Sequence, residues 1–234
     1  WPPSRPDFTP DPSVAGTATT WTAYGGDGHA LKYSSLDQIN KANVHRLKVA
    51  WTYRTGDPQR HPDQMKIAGL HATPIKLPDA AGGHLVLCTP FNRIVALDPA
   101  RGTVRWEYDA APTPLPKAAR YNCRGVALWH DSLAAQGSAC EWRIFMGTND
   151  RFLVAVDARD GKACATFGEN GRVNVTPLIE ATTPKSDASG IAFYSPPAVV
   201  HDTVVLGATG NAKFHNVSAP SGAARGFDAR SGAL

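Results

Sequence analysis

Short apolar runs broken by glycine and proline set the pattern of this chain. In Ile94–Trp106, IVALDPARGTVRW, three β-forming residues (Ile94, Val95, Leu97) lead to Pro99 and Gly102, and Thr103 to Trp106 resumes a β pattern. That order predicts strand, tight turn, strand. Asp98 stands four residues before Gly102, where its carboxylate can accept backbone amides across the turn. The same grammar returns at Val154–Ala165 (VAVDARDGKACA) and Gly226–Leu234 (GFDARSGAL), with Asp157 before Gly161 and Asp228 before Gly232. The three aspartates are 59 and 71 residues apart. A four-stranded unit with loop insertions fits that spacing, and long-period repeats indicate propellers or arrays whose units cover each other's faces.

Other segments fill in the units. Leu47–Tyr53 alternates and predicts a strand ending at a Gly56 turn. His71–Lys76 leads into a strand, Ala80–Gly83 turns, and His84–Thr89 forms the next strand, so that with residues 94–106 one four-strand unit is complete. Trp129–Cys140 reads as a loop and Glu141–Gly147 as a strand; Tyr194–Val200 opens a third unit, with Thr203–Gly207 as its second strand. The first 20 residues, with five prolines, predict an extended arm. Asp109–Arg120 is a Pro- and Ala-rich connection, and Val173–Gly190 a long one without periodicity.

Composition narrows the class. Of 234 residues 42% are hydrophobic, enough for a substantial core, and 21 glycines with 19 prolines favour an all-β chain. The net charge of +4 is spread without basic runs, which argues against nucleic acid or an anionic membrane surface as partner. No apolar stretch approaches the length of a membrane span. The chain opens on Trp1-Pro2-Pro3-Ser4 rather than on a basic and apolar leader, which reads as a mature or trimmed start. Cys88, Cys123, Cys140 and Cys164 follow no C-x-x-C pattern, against structural zinc. They are buried thiols or form one or two disulfides, and three full pairings stay open.

The string Ala-x-Asp-x-x-x-Gly-x-x-x-Trp, complete at Ala96–Trp106, resembles the tryptophan-docking motif of the eight-bladed propellers of quinoprotein dehydrogenases, which use pyrroloquinoline quinone (PQQ). The second copy has Ala165 at the tryptophan position and Phe167 two residues later; the third ends two residues before its tryptophan would come. Tyr24-Gly-Gly-Asp27, Tyr33-Ser-Ser-Leu36 and Gln38-Ile39 resemble the family's approach to its first blade, and Cys123-Arg-Gly-Val-Ala127 a strand start. The likeness runs from Trp21 to Leu234. It implies an all-β fold, a β-propeller of four-stranded antiparallel blades, of which this chain covers three to three and a half. Residues 1–20 would be an arm and 21–234 a partial propeller domain.

The resemblance also implies site residues. Arg54, in the context Trp51-x-x-Arg-Thr-Gly-Asp57, reads alone as a solvated arginine, whereas relatives place it near the cofactor mouth. His71 stands where relatives commonly carry a glutamate directed at the quinone; imidazole can still hydrogen-bond a cofactor oxygen. Arg124 would hold a PQQ carboxylate, which suits a guanidinium fork. A lone Cys123, rather than a pair of adjacent cysteines, indicates the glucose, quinate and shikimate branch, although Arg120 occupies a position where that branch often has histidine. Thr148 is either a cofactor contact or a turn threonine bonding its own backbone. Thr209 and Gly210 would lie under the quinone, with Asn211 as a neutral ligand to Ca²⁺ or Mg²⁺. The general base belongs to later blades. The implied reaction oxidises a sugar or cyclic polyol hydroxyl, hydride passing to PQQ and electrons to ubiquinone, in the periplasm, with any membrane anchor in segments outside this sequence. A non-catalytic scaffold for partner proteins and an inactive truncated product are the alternatives.

Overall fold

The computed structural model describes residues 21–26, 30–110, 120–182, 190–210 and 222–234. The predicted arm over residues 1–20 and the proposed metal ligand Asn211 lie outside them. In chain order the elements are a single helical turn α1 (Asp57–Arg60), β1 (Ala68–Leu70), β2 (Ile75–Lys76), β3 (Leu85–Cys88), β4 (Arg93–Leu97), β5 (Val104–Asp109), β6 (Tyr121–Cys123), β7 (Ala127–His130), β8 (Trp142–Gly147), β9 (Phe152–Asp157), β10 (Arg172–Asn174), α2 (Thr176–Thr182), β11 (Ile191–Ala192), β12 (Ala198–Val200), β13 (Thr203–Leu206), β14 (Thr209–Gly210) and β15 (Arg225–Asp228).

Two four-stranded antiparallel blades form, β2-β3-β4-β5 and β7-β8-β9-β10, followed by a three-stranded sheet β12-β13-β15. The middle strands of the two four-stranded blades are apolar on both faces because each of these blades is covered on both sides. Ile144 and Met146 of β8 and Val154 and Val156 of β9 pack with Ile94 and Ala96 of the first blade. The alternate residues Phe145, Leu153 and Ala155 pack with Val204, Leu206 and Phe227 of the third. The two-residue period of a strand thus sends successive side chains into two different cores.

The repeated turns are built identically. Gly102, Gly161 and Gly232 donate their amides to the carbonyls of Asp98, Asp157 and Asp228 at 2.8, 2.9 and 2.8 Å. The aspartate Oδ1 atoms accept amides further along each turn: Ala100 and Arg101, then Arg159, then Arg230 and Ser231. Onto each turn comes a side chain from the preceding unit. Trp106 Nε1 donates to the Ala158 carbonyl at 3.2 Å, and a Cβ at Gly161 would lie 2.5 Å from the indole. Trp51 repeats this one unit earlier, donating to the Pro99 carbonyl at 3.1 Å over Gly102. At the third turn, where Ala165 replaces tryptophan, fully buried Phe167 reaches Gly232. The vacated carbonyl partner is supplied by Arg143, whose Nη1 donates to Ala229 at 3.0 Å and to Arg230 at 2.7 Å.

Three expectations need correction. Leu47–Tyr53 forms no ladder strand. Its alternation instead presents Trp51 and Tyr53 to the first blade, the Tyr53 hydroxyl donating to Glu107 at 3.1 Å, while Val49 is 84% exposed. The first part of the long connection expected over residues 173–190 is regular: it completes β10 and forms α2, which buries Ile179 and whose Leu178 carbonyl accepts Arg225 Nη2 at 3.0 Å. Two turns of helix are too short to show a period. The strand expected to resume after Gly161 is reduced to a single Val156–Ala163 bridge, and the fourth strand of that blade starts only at Arg172. The cysteines form Cys88–Cys123 and Cys140–Cys164 disulfides, the second holding the diverted stretch to the loop before β8.

Replacing Trp106 by alanine should lower the free energy of unfolding by about 3–5 kcal/mol, the cost of an emptied aromatic site, read from the denaturant midpoint; phenylalanine should recover most of it. The turn carboxylates also fix a pH dependence. The Ser231 hydroxyl and amide hold Asp228 below the ordinary carboxylate range. At Asp98 burial opposes the charge, but the Arg101 amide and the Arg105 guanidinium outweigh it and lower the pKa. Carboxylates with depressed folded pKa values contribute stability above their unfolded pKa of about 4, and lose it as pH falls through the folded values. Stability should therefore hold to about pH 4 and decline below it, with a shallower decline in Asp228→Asn.

Candidate functional site

Strand register gathers the candidate residues on one rim. Ile75 pairs with Val86, Ala127 with Phe145 and Ala198 with Val205. The start of each inner strand therefore stands beside the end of the second strand of its unit. His71 and Arg124 precede inner strands, and Thr148 and Thr209 follow second strands, so all four belong to the same end of the blades.

Backbone bonds knit this rim together across the units. β1 and β6 pair in parallel, Gly69 opposite Asn122 and Leu70 opposite Cys123, so that His71 and Arg124 come next, side by side. The Thr73 amide donates to the Arg124 carbonyl at 3.0 Å, and the Arg124 amide donates to the Tyr194 carbonyl at 2.8 Å. Gly125, at φ +159°, is nearly extended, and its position faces Pro196 and the Thr73 carbonyl. Tyr194 continues from β11, which pairs with β14 through Ala192–Thr209 and Ile191–Gly210. The Phe193 amide donates to the Thr148 carbonyl at 3.2 Å. The Cys88–Cys123 disulfide anchors the residue before Arg124 to the first blade.

The segment carrying Arg54 is tied to the first blade through its neighbours. Arg93, the first residue of β4, is 1% exposed and donates to Asp57 at 2.8 Å, to Glu107 at 3.1 Å and to the Thr55 carbonyl. Burial opposes its charge, yet the Asp57 hydrogen bond and the nearby carboxylates hold its pKa above the ordinary value. The segment beside Arg54 is also held by His61 against Phe91 at 4.2 Å, and Phe91 packs on Tyr121 of β6 at 5.2 Å between centroids.

The side chains differ in what they leave free. Arg54, His71 and Arg124 are exposed, and Arg54 and Arg124 make no ion pair among the described residues. An exposed guanidinium on a backbone fixed from two sides suits a carboxylate ligand. Thr148 is fully buried, and its hydroxyl exchanges hydrogen bonds with the Phe152 backbone, 2.9 Å from the amide and 3.3 Å from the carbonyl. Its side chain shapes the turn. Thr209 and Gly210 form β14, a short strand paired with β11.

Residues that carried no sequence signal also belong here. Asn122 holds a buried Oδ1 with no partner. Asn149 Nδ2 ties the second blade to the first through the Pro90 carbonyl at 2.8 Å and Asn92 Oδ1 at 2.7 Å. Single asparagines have no pattern to betray them. A separate cleft of about 710 Å³ runs between Tyr24, β7 and β12 and holds none of the candidate residues. No group of three His, Cys, Asp or Glu side chains among the described residues could hold a metal.

The family model of the PQQ glucose/ethanol/alcohol dehydrogenase β-propeller domain matches residues 21–234. This chain belongs to that quinoprotein family. It is 35% identical over 97% of its length to quinoprotein glucose dehydrogenase A of Acinetobacter calcoaceticus, covering 29% of that protein. It is 34% identical over 92% of its length to quinate/shikimate dehydrogenase (quinone) of Acinetobacter baylyi, covering 27% of it. The quinohemoprotein alcohol dehydrogenase from Comamonas testosteroni superposes over 95% of the chain and 27% of its own, with a TM-score of 0.65 at 25% identity. The quinoprotein chain thus spans less than a third of these relatives, which accords with two whole blades and part of a third.

Asp57→Ala in this quinoprotein should cost about 3–5 kcal/mol of stability, since it strands a buried guanidinium. Differential scanning of variant and parent checks this. A loss comparable to that of an exposed ion pair, below about 1 kcal/mol, would show that the Arg93 charge is satisfied without Asp57.

Proposed function

We propose that the chain is the first part of a PQQ-dependent dehydrogenase that oxidises a sugar or cyclic polyol hydroxyl, and that the rim holding Arg124 is its share of the cofactor site. The observation that carries this reading is the Arg124 guanidinium, unpaired among the described residues on a backbone fixed between Thr73 and Tyr194. Its fork matches a PQQ carboxylate. Arg54 adds positive charge at the same rim and His71 a hydrogen-bonding group beside Arg124. Thr209 and Gly210 offer a small surface for a flat ring, and Thr148 sets the turn next to them. The quinone, when bound, accepts the hydride; the protein's part is to orient it and keep its carboxylates neutralised. The metal, Ca²⁺ or Mg²⁺, would be held by Asn211 and residues of further blades, as would the proton-accepting carboxylate. No step is assigned to a residue of this chain beyond binding and orientation.

The two disulfides favour an oxidising compartment, which supports a periplasmic location, and ubiquinone is the acceptor proposed for the electrons. No helix among the described residues is long and apolar enough to cross a membrane.

Titration of PQQ into the protein, followed by quenching of tryptophan fluorescence with and without Ca²⁺, tests this. Saturable binding weakened roughly 10-fold or more in Arg124→Ala is expected, from the loss of a charged hydrogen bond. Binding indifferent to Arg124, or none by a protein carrying the full set of blades, would instead favour the scaffold reading.

A further inference from the structure

One short segment of the third unit touches several parts of the rim at once. Ile191 and Ala192 pair with Gly210 and Thr209, and the Phe193 amide donates to the Thr148 carbonyl at 3.2 Å. Phe193 also packs on Gly147, where an added Cβ would lie 2.4 Å from that of the phenylalanine. Tyr194, the next residue, is bonded to both ends of the strand that leads into Arg124. Its backbone carbonyl accepts the Arg124 amide at 2.8 Å, and its hydroxyl donates to the Arg120 carbonyl at 2.8 Å.

β6 depends on outside support of this kind. It is three residues long, and among the described residues its one ladder neighbour is β1, of the same length. Two such short strands are marginal by themselves. Tyr121 and Cys123 tie β6 to the first blade through Phe91 and Cys88, and the Thr73 amide bonds the Arg124 carbonyl at 3.0 Å. From the third unit, the bond at Arg124 holds only the far end of the strand. The Tyr194 phenol holds the near end. This side chain is half-buried, and burial pushes its pKa above the ordinary phenol value, opposed by the positive charge of Arg120. The hydroxyl therefore keeps its proton, and remains a donor, throughout the neutral range.

We propose that the Tyr194 phenol is a positioning residue for the cofactor: acting through β6, it sets the angle at which the Arg124 guanidinium meets a PQQ carboxylate. This deepens the PQQ reading above and rests on it. A bidentate pair needs two N–H groups aligned with two oxygens, so a small tilt of the strand costs one of the two bonds. The phenol has a single hydrogen, and it is committed to the Arg120 carbonyl. Its effect on the cofactor therefore runs through Arg124, and it couples that arginine to Thr209 and Gly210 of the third unit.

A double-mutant cycle of Tyr194→Phe and Arg124→Ala tests this in the protein with its full set of blades. PQQ affinity is read by fluorescence quenching with Ca²⁺ present, and thermal midpoints are taken without PQQ. In the parent, Tyr194→Phe should weaken PQQ binding roughly 3- to 10-fold, from the loss of one hydrogen bond. In the Arg124→Ala background the same change should cost about 2-fold or less, as for two groups that act as one. The shift in thermal midpoint should be equal in both backgrounds, because the bond to the Arg120 carbonyl does not need the Arg124 guanidinium. Unchanged PQQ affinity in Tyr194→Phe would overturn the inference by showing that β6 is held without the phenol. An equal loss of affinity with and without Arg124 would overturn it too, since the ring would then meet PQQ directly; either result leaves the cofactor reading standing. Failure of the parent to bind PQQ, or binding by Arg124→Ala as tight as the parent's, would remove the cofactor reading and this inference with it.

Discussion

The contact on which the architecture depends is an aromatic ring laid on a glycine turn of the next blade, with a hydrogen bond to the carbonyl that follows the turn aspartate. It joins units about 60 residues apart through one donor and one apolar face. The acceptor constrains more strictly than the ring. When the second repeat loses its indole, the ring is recovered from Phe167, but the Ala229 carbonyl is bonded by Arg143, from a different strand. An unmet carbonyl in that position would be costly, and the substitution shows how a fold repairs a departure from its own motif.

Because blades are held at their outer turns in this way, their inner strands keep a common phase. The starts of β2, β7 and β12 then lie at one end, and so do the short linking pairs β1–β6 and β11–β14. Those pairs are minor in length, yet they align His71, Arg124 and Tyr194 across three units. The rim chemistry is therefore a product of long-range order, with each unit contributing one or two side chains that mean little by themselves.

This division explains what could be read from the sequence. The Asp-x-x-x-Gly turns and their flanking apolar runs are local, and strands β3, β4, β8, β9 and β13 follow from them closely. Leu47–Tyr53 misled because alternation reports only which side chains face the domain, and here the half-buried side chains, Trp51 and Tyr53, dock without any strand pairing. The helix Thr176–Thr182 escaped because its stability comes from Ile179 and from Arg225, which is more than 40 residues away. Arg124 was singled out through its neighbours in sequence. Asn122 and Tyr194 carried no such signal, since what distinguishes them is an orphaned oxygen and bonds to distant backbone.

The Cys88–Cys123 bridge makes the position of the rim strand β6 depend on the redox state of one cysteine pair. Cys123 is the residue before Arg124, and the bridge joins it to the first blade. A chain held reduced would lose this covalent tether and keep Arg124 in place only through the Thr73 and Tyr194 backbone bonds.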